Sequence, residues 1–315
     1  MTGLNLALGA MEFGSRIDEK TSFALLDQYV DAGGEWIDTA DCYAFWHVPS
    51  GHGGQSEELL GRWFARRPGV RERVKLATKV GWEPLHPGGY PTSVESLDQA
   101  GIASALSTSL RRLGVDHIDL YWAHRDDRST PLEETVAAFG QHVASGTVGR
   151  LGLSNWSLWR TERARALAVE LGVEVPSFLQ LKYSYVHPRP FVADQSGQHR
   201  FGWLTDETLD FATADPSWNL WAYTPLMAGS YERDDRPMPP EYDHPGTTAR
   251  LEALAKVAAE LGVSRSSVVV AWLIGGSPVV RPIVGASKPE QLAASIEGAR
   301  LELPVDVRAE LDTPW

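Results

Sequence analysis

The chain has 315 residues, 43% of them hydrophobic and 22% charged, a composition that fills a globular core and lies far from the signature of disorder. Asp and Glu total 41 against 29 for Lys and Arg, so a formal net charge of -12 offers no positive field for nucleic acid, which is not expected as a partner. The longest apolar run, 268–274, is far short of the roughly 20 residues that cross a bilayer, no Lys or Arg precedes Arg16 to form the basic end of a leader, and the lone Cys42 permits no internal disulfide; a cytoplasmic protein without membrane association is expected.

Short β-rich apolar runs alternate with longer stretches of helical period along the whole sequence. Strands are predicted near 4–8, 36–40, 74–80, 118–124, 148–155, 177–183, 219–226 and 279–286. Helices are predicted between them at 20–31, 55–67, 101–113, 131–144, 158–171 and 206–214, with a pair in 247–274 and a last helix at 288–299. Thr130-Pro131-Leu132-Glu133 and Ser287-Lys288-Pro289-Glu290 both read as capping boxes. Leu251, Leu254, Ala258 and Leu261 trace one apolar helical face, and Gly33-Gly34, Gly114, Gly146, Gly172 and Gly262 stand where helices should stop.

Eight strands, each followed by helix, close most economically into a single (β/α)8 TIM barrel over residues 1–315, with long loops at the C-terminal face of the strands. An open dinucleotide-binding sheet is the rival fold, and its glycine fingerprint is missing: Gly51-His52-Gly53-Gly54 has Ser56 where the last glycine should fall, and follows no strand.

Three neighbouring strands end in chemistry-bearing residues: Asp38 with Tyr43 five residues on, then Lys79, then His124. Taken singly, each has an ordinary structural role: a turn-capping aspartate, a surface tyrosine, a buried ion pair, a core histidine. Together at one rim they suggest more. Lysine cation near tyrosine is expected to lower the phenol below about 10, which would make it a general acid, while a histidine beside it would donate to a carbonyl oxygen as that oxygen gains charge. The set reads as a carbonyl-reduction site.

At this point the sequence resembles the aldo-keto reductases. The resemblance rests on Asp38-Thr39-Ala40 with Tyr43, Gln55-Ser56-Glu57 through Gly61, Thr78-Lys79, His124, Gly152-Leu153-Ser154-Asn155, Gln180, Ala222-Tyr223-Thr224-Pro225-Leu226, and Gly285-Ala286-Ser287 with Gln291, all in family order. It implies a catalytic tetrad of Asp38, Tyr43, Lys79 and His124. It also implies NADPH as cofactor, with Ser154, Asn155 and Gln180 on the nicotinamide carboxamide and Tyr223 stacked on the ring. Thr224, Leu226, Gly285, Ser287, Lys288 and Gln291 are implied along the rest of the cofactor, the 2'-phosphate falling at Ser287 and Lys288, where a helix N-terminus favours an anion.

Departures from the family are Ala294 and Ser295, where an acid and an asparagine are often found, a short or absent N-terminal hairpin, and an insertion at 44–54. That insertion and the segment after Lys79 place Trp46 and Trp82 near the acid, and with Trp156 they are predicted to form an aromatic wall for a bulky small-molecule carbonyl substrate, aromatic or sugar. Trp122 shares a strand face with His124, where core packing competes with the same use. His47 and His52 match no zinc spacing, so no metal is expected. The charge runs Asp126-Asp127-Arg128 and 232–236 read as solvated loops.

Two rival functions remain. A cofactor-sensing regulatory subunit fits because the Gly-Ala-Ser segment with a later Gln also occurs in relatives that serve ion channels. A glycoside hydrolase would suit a chain with 12 tryptophans, but it needs paired carboxyls at strand ends, and the later strands end in His124, Asn155, Tyr183, Leu226 and Ala286.

Overall fold

The computed structural model describes residues 3–189 and 202–313. Eight parallel strands, β1 (Ala7–Gly9), β2 (Trp36–Asp38), β3 (Lys75–Val80), β4 (Ile118–Ala123), β5 (Val148–Ser154), β6 (Phe178–Lys182), β7 (Asn219–Tyr223) and β8 (Val280–Val284), pair in sequence order, and β8 closes on β1. The predicted barrel is therefore present, with strands shorter than the apolar runs that announced them. Around it lie α1 (Glu19–Asp31), α2 (Gln55–Arg66), α3 (Gln99–Leu113), α4 (Leu132–Ala144), α5 (Leu158–Leu171), α6 (Asp206–Ala214), α7 (Pro245–Leu261), α8 (Arg265–Ile274), α9 (Pro289–Arg300) and α10 (Val305–Asp312). The last had no sequence signal, because among its residues only Leu311 is buried and no apolar stripe exists to be read. Among the described residues no single helix is long and apolar enough to cross a membrane.

Helix punctuation follows local chemistry. Gly114, Gly172 and Gly262 terminate α3, α5 and α7 with φ of 66°, 66° and 68°, a conformation that costs glycine least. Both predicted capping boxes are corrected. Thr130 Oγ1 donates to Asp127 Oδ2 at 2.8 Å, and the cap position of α4 is Pro131, which has no side-chain donor or acceptor. At α9 the cap position is Lys288; Ser287 lies one residue early, and its N and Oγ donate instead to Gln291 Oε1 at 2.8 and 3.1 Å. The run Asp126-Asp127-Arg128 is also not solvated as expected. Asp127 is buried and accepts from Leu97 N, Ser129 and Thr130; burial opposes its ionisation, yet these bonds outweigh it and hold the carboxyl down at about 2. Asp126 pairs with Arg128 and Arg160.

Alternation along the strands decides what the barrel interior contains. Its lower layers are aromatic: Trp36, Trp122, Phe178 and Trp221 pack together, with ring centroids 5.1 Å apart for Trp36–Trp221 and 5.4 Å for Trp122–Trp221. Each such ring removes 150–250 Å² from water, worth roughly 4 to 6 kcal/mol. Several of the 12 tryptophans are thus spent filling the barrel, Trp122 among them. Accommodating Trp122 demands an absent side chain opposite. Gly152 is its register partner on β5, and a Cβ there would lie 2.2 Å from Trp122 Cε3.

Gly152→Ala is accordingly expected to destabilise the fold by about 1 to 3 kcal/mol through overpacking, measured as the shift in the urea midpoint at constant m-value. An unchanged midpoint would show that the ring yields freely.

Candidate active site

Above the aromatic layers the same inward-facing rows end in polar residues. Asp38 closes β2, Lys79 lies in β3 and His124 follows β4, so three adjacent strands deliver them to the C-terminal rim. Lys79 is fully buried, and such an ammonium must be paired and hydrogen-bonded. Its Nζ donates to Asp38 Oδ2 at 2.5 Å, to Thr39 O at 2.7 Å and to Tyr43 Oη at 2.9 Å. Gln180 Nε2 donates to the other Asp38 oxygen at 3.2 Å. The His124 ring stands edge-on to Tyr43 with centroids 5.8 Å apart, and its Nδ1 lies 3.7 Å from Cys42 Sγ. Asp38, Tyr43, Lys79 and His124 are thus brought together in one constellation.

The expected lowering of the tyrosine is reversed. Burial, followed by the Asp38 charge, pushes Tyr43 well above the ordinary phenol range. Burial is the larger cause, and pairing removes the offset: with Asp38 at 2.5 Å the Lys79 charge is balanced, so little positive potential is left to favour phenolate. Burial also raises Asp38, against the pull of Lys79 and Gln180.

Ser154, Asn155, Gln180 and Tyr223 meet on the next strands. Asn155 takes φ of 62° at the end of β5 and ties the group together. Its Nδ2 donates to His124 O at 3.0 Å and Ser154 Oγ at 3.2 Å, and its Oδ1 accepts from Tyr223 Oη at 2.8 Å. Thr224 follows β7 with φ of 56°, strained for a β-branched residue, and leads into the loop that holds Leu226. Gly285, Ser287, Lys288 and Gln291 lie together between β8 and the first turn of α9, all exposed, and a Cβ at Gly285 would meet no atom within 4 Å. Ser295 is buried and donates to Gln291 O at 3.2 Å, so it points into its own helix.

Of the predicted aromatic wall, Trp156 is displaced to a packing role: it is 2% exposed and its Nε1 donates to Arg125 O at 2.9 Å. Trp46 is 42% exposed, with its ring 6.1 Å from that of Tyr43. Two rings that the sequence did not single out continue the row. Phe45 lies 4.8 Å from Trp46, Tyr90 4.9 Å from Phe45, and Trp82 5.3 Å from Tyr90. Phe45 adjoins Trp46 and could have been read with it, whereas Tyr90 sits among glycines and prolines without periodicity. His47 and His52 pair with Glu12 and Glu83, and no metal-ligating group of three is found among the described residues.

Behind the site lies a set of carboxyls that no strand end carries, because they stand in loops and on α2. Glu57 accepts from Thr78 Oγ1 at 2.7 Å and pairs with Arg112, which also donates to Asp41 O and Gly53 O. Asp41 is 2% exposed with Glu95, Glu57 and Glu83 around it; burial first and then these charges push it well above the carboxylate range.

The closed parallel barrel with its polar constellation at the C-terminal strand ends defines the class, a (β/α)8 barrel whose candidate site lies on the face where such barrels carry chemistry. The Aldo/keto reductase family profile matches residues 5–314, and the chain belongs to that family. It is 31% identical to a Bacillus subtilis (strain 168) protein named uncharacterized oxidoreductase YrpG, over 97% of this chain and 91% of that one. It is 27% identical to norsolorinic acid reductase of Aspergillus flavus, over 98% of this chain and 76% of that one. A protein of Oryza sativa subsp. japonica named "Probable voltage-gated potassium channel subunit beta" is 27% identical, over 93% of this chain and 86% of that one.

Asp41 yields a prediction whose sign is fixed by linkage. A carboxyl raised on folding contributes stability below its unfolded value, near 4, and loses it as pH rises through the folded value. Asp41→Asn removes that loss. The melting temperature of the variant minus that of the wild type should therefore increase from pH 4 upward and level off; a difference flat in pH would show that folding does not raise the Asp41 carboxyl.

Proposed function

We propose that this chain is an NADPH-dependent reductase of an aldehyde or ketone bearing a bulky ring, aromatic or sugar. The observation that carries the proposal is the chain Asp38–Lys79–Tyr43, buried at the first two and half-buried at the phenol, with contacts of 2.5 and 2.9 Å, standing against His124 on the strand-end face. Its parts have separate tasks. Tyr43 Oη gives its proton to the substrate oxygen, Lys79 and Asp38 hold that hydroxyl in place, and His124 donates a hydrogen bond to the same oxygen as charge grows there. The raised phenol suits reduction: Tyr43 stays protonated at neutral pH, and an alkoxide is basic enough to take a proton from any phenol.

Cofactor use is supported by the donor set as well as by the family, which generally uses NAD(P)H. Ser154, Asn155, Gln180 and Tyr223 offer hydroxyl, amide and ring groups on adjoining strand ends, and the open Gly285 precedes a helix start that carries Ser287 and Lys288. NADPH, when bound, supplies the hydride. Ser154, Asn155 and Gln180 would hold its carboxamide and Tyr223 the nicotinamide face, while Thr224, Leu226, Gly285 and Gln291 would follow the rest. The buried Ser295 leaves the adenosine end to other residues.

Relatives named an oxidoreductase and a reductase favour redox chemistry. The rice relative, by its name, favours the rival reading of a regulatory subunit. Turnover separates the two, since both would bind a cofactor. Steady NADPH oxidation with a panel of aldehydes supports the reductase, and its absence across the panel overturns it.

Tyr43→Phe should lower kcat for reduction by about 10² to 10⁴-fold while NADPH affinity stays near wild type. In the wild-type enzyme kcat for reduction should stay flat through neutral pH, because a raised phenol loses no proton there; a decline between about pH 6 and 8 would contradict the acid role.

Lys288→Ala should weaken NADPH by about tenfold, a modest value for an exposed charge-assisted contact, and leave NADH nearly unchanged by fluorescence titration. Equal weakening of both would remove the 2'-phosphate from this place.

A further inference from the structure

Two segments distant in sequence meet beside Tyr43. Residues 44–54 carry Phe45 and Trp46, and residues 81–96, between β3 and α3, carry Trp82 and Tyr90. Glu83 joins them. Gly53 N donates to both of its carboxylate oxygens at 3.0 Å, and His52 Nδ1 lies 3.1 Å from Oε1, while the side chain is only 15% exposed. A charged acceptor with several donors makes a stronger and more directional tie than a neutral one.

Both ends of this tie are anchored. Gly53 packs so tightly on the chain that a Cβ would lie 2.3 Å from the Cys42 carbonyl carbon, and Gly54 N donates to Tyr43 O at 2.9 Å. On the other side Glu95 N donates to Glu83 O at 3.0 Å, and Pro84 and Val94 form an antiparallel bridge that closes the excursion holding Tyr90. The Glu83 carboxylate is therefore the polar tie between the two aromatic loops, beside the direct ring contact of Phe45 with Tyr90 at 4.9 Å. The contacts of Lys79 with Asp38, Thr39 and Tyr43 do not pass through it.

We infer that Glu83 is a positioning residue for substrate selection: it fixes the separation of the Phe45–Trp46 and Trp82–Tyr90 rings, and with it the preference for a bulky ring carbonyl over a small one. The inference rests on the reductase reading and deepens it. The two carboxylates nearest the row are paired, Glu83 with Gly53 and His52 and Glu12 with His47, so what adjoins Tyr43 on these loops is chiefly the faces of Phe45, Trp46, Trp82 and Tyr90. That chemistry suits a flat aryl aldehyde or ketone better than a sugar, whose hydroxyls need partners of their own.

The experiment compares propanal with 2-naphthaldehyde, using NADPH, in the wild type, Glu83→Ala and Glu83→Gln. Naphthaldehyde binding is followed separately by tryptophan fluorescence. Glu83→Ala should raise KM for naphthaldehyde about tenfold and leave its kcat, and both constants for propanal, within about twofold. Glu83→Gln keeps an oxygen that accepts from Gly53 N, so it should remain within about threefold of wild type throughout. Equal KM increases for both aldehydes, no increase for naphthaldehyde, or a Gln variant as impaired as the Ala variant would overturn the inference. Should Glu83→Ala fail to fold, Glu83→Asp, with its carboxylate drawn back by one methylene, reads the same split. A wild type that binds naphthaldehyde but reduces neither compound would defeat the reductase reading alone, and the fluorescence affinities of the variants would still decide the role of Glu83.

Discussion

A lysine with no exposed surface at the mouth of the barrel is the constraint on which the rest of the site depends. Desolvating an ammonium costs several kcal/mol unless charge and hydrogen bonds replace the lost water. Lys79 meets the requirement with three acceptors from one neighbouring stretch of chain, Asp38 Oδ2, Thr39 O and Tyr43 Oη. Meeting it dictates geometry elsewhere. Strand β2 must end at Asp38, the chain must then turn so that a carbonyl and a phenol both face the ammonium, and Gln180 must cross from β6 to occupy the second carboxylate oxygen. Tyr43 is thus placed by the needs of a buried cation rather than by its own packing.

The same pairing explains why a lysine so close to the phenol does not acidify it. A neutral couple exerts a dipole and no monopole, and burial then governs the tyrosine. The Asp41 charge pushes in the same direction. Asp41 and Cys42 are themselves raised, by burial first and then by carboxyls packed behind the rim, Glu83 and Glu95 acting on both. A site held this way keeps its protons. Such an environment suits a group that delivers a proton and then recovers it from solvent.

Legibility followed the length scale of the physics. Strand and helix alternation was visible because each element buries one face, which repeats along the sequence, and the stops at Gly114, Gly172 and Gly262 were visible because few residues other than glycine tolerate that backbone. The four residues Asp38, Tyr43, Lys79 and His124 could be read together because the barrel brings successive strand ends to one rim. Contacts set by exact position were not legible. Ser287 and Thr130 look like caps until a single residue of offset assigns Lys288 and Pro131 to the cap positions. Asp127 looks solvated until its bonds from Leu97, Ser129, Thr130 and Arg125 are seen. The sign of the Tyr43 shift was missed for a related reason: Lys79 and its Asp38 partner could be inferred from strand order, while the burial that outweighs the lysine at the phenol could not.

Tryptophan has two opposed uses in this chain, and the layer of the barrel decides between them. Below the rim, Trp36, Trp122 and Trp221 are surrounded by other rings, and Gly152 is emptied of side chain to admit one of them. Their contribution is volume and apolar area, so nothing about the reaction is encoded in them. Above the rim, Trp46 stays 42% exposed although other rings adjoin it, because the insertion that holds it lies outside the barrel wall and is fixed by polar ties at Glu12 and Glu83. An exposed indole held by charged contacts rather than by burial gains little stability from its own surface. Its place is set by those loop ties, while the barrel beneath supplies the rigid rim that carries Asp38, Lys79 and His124.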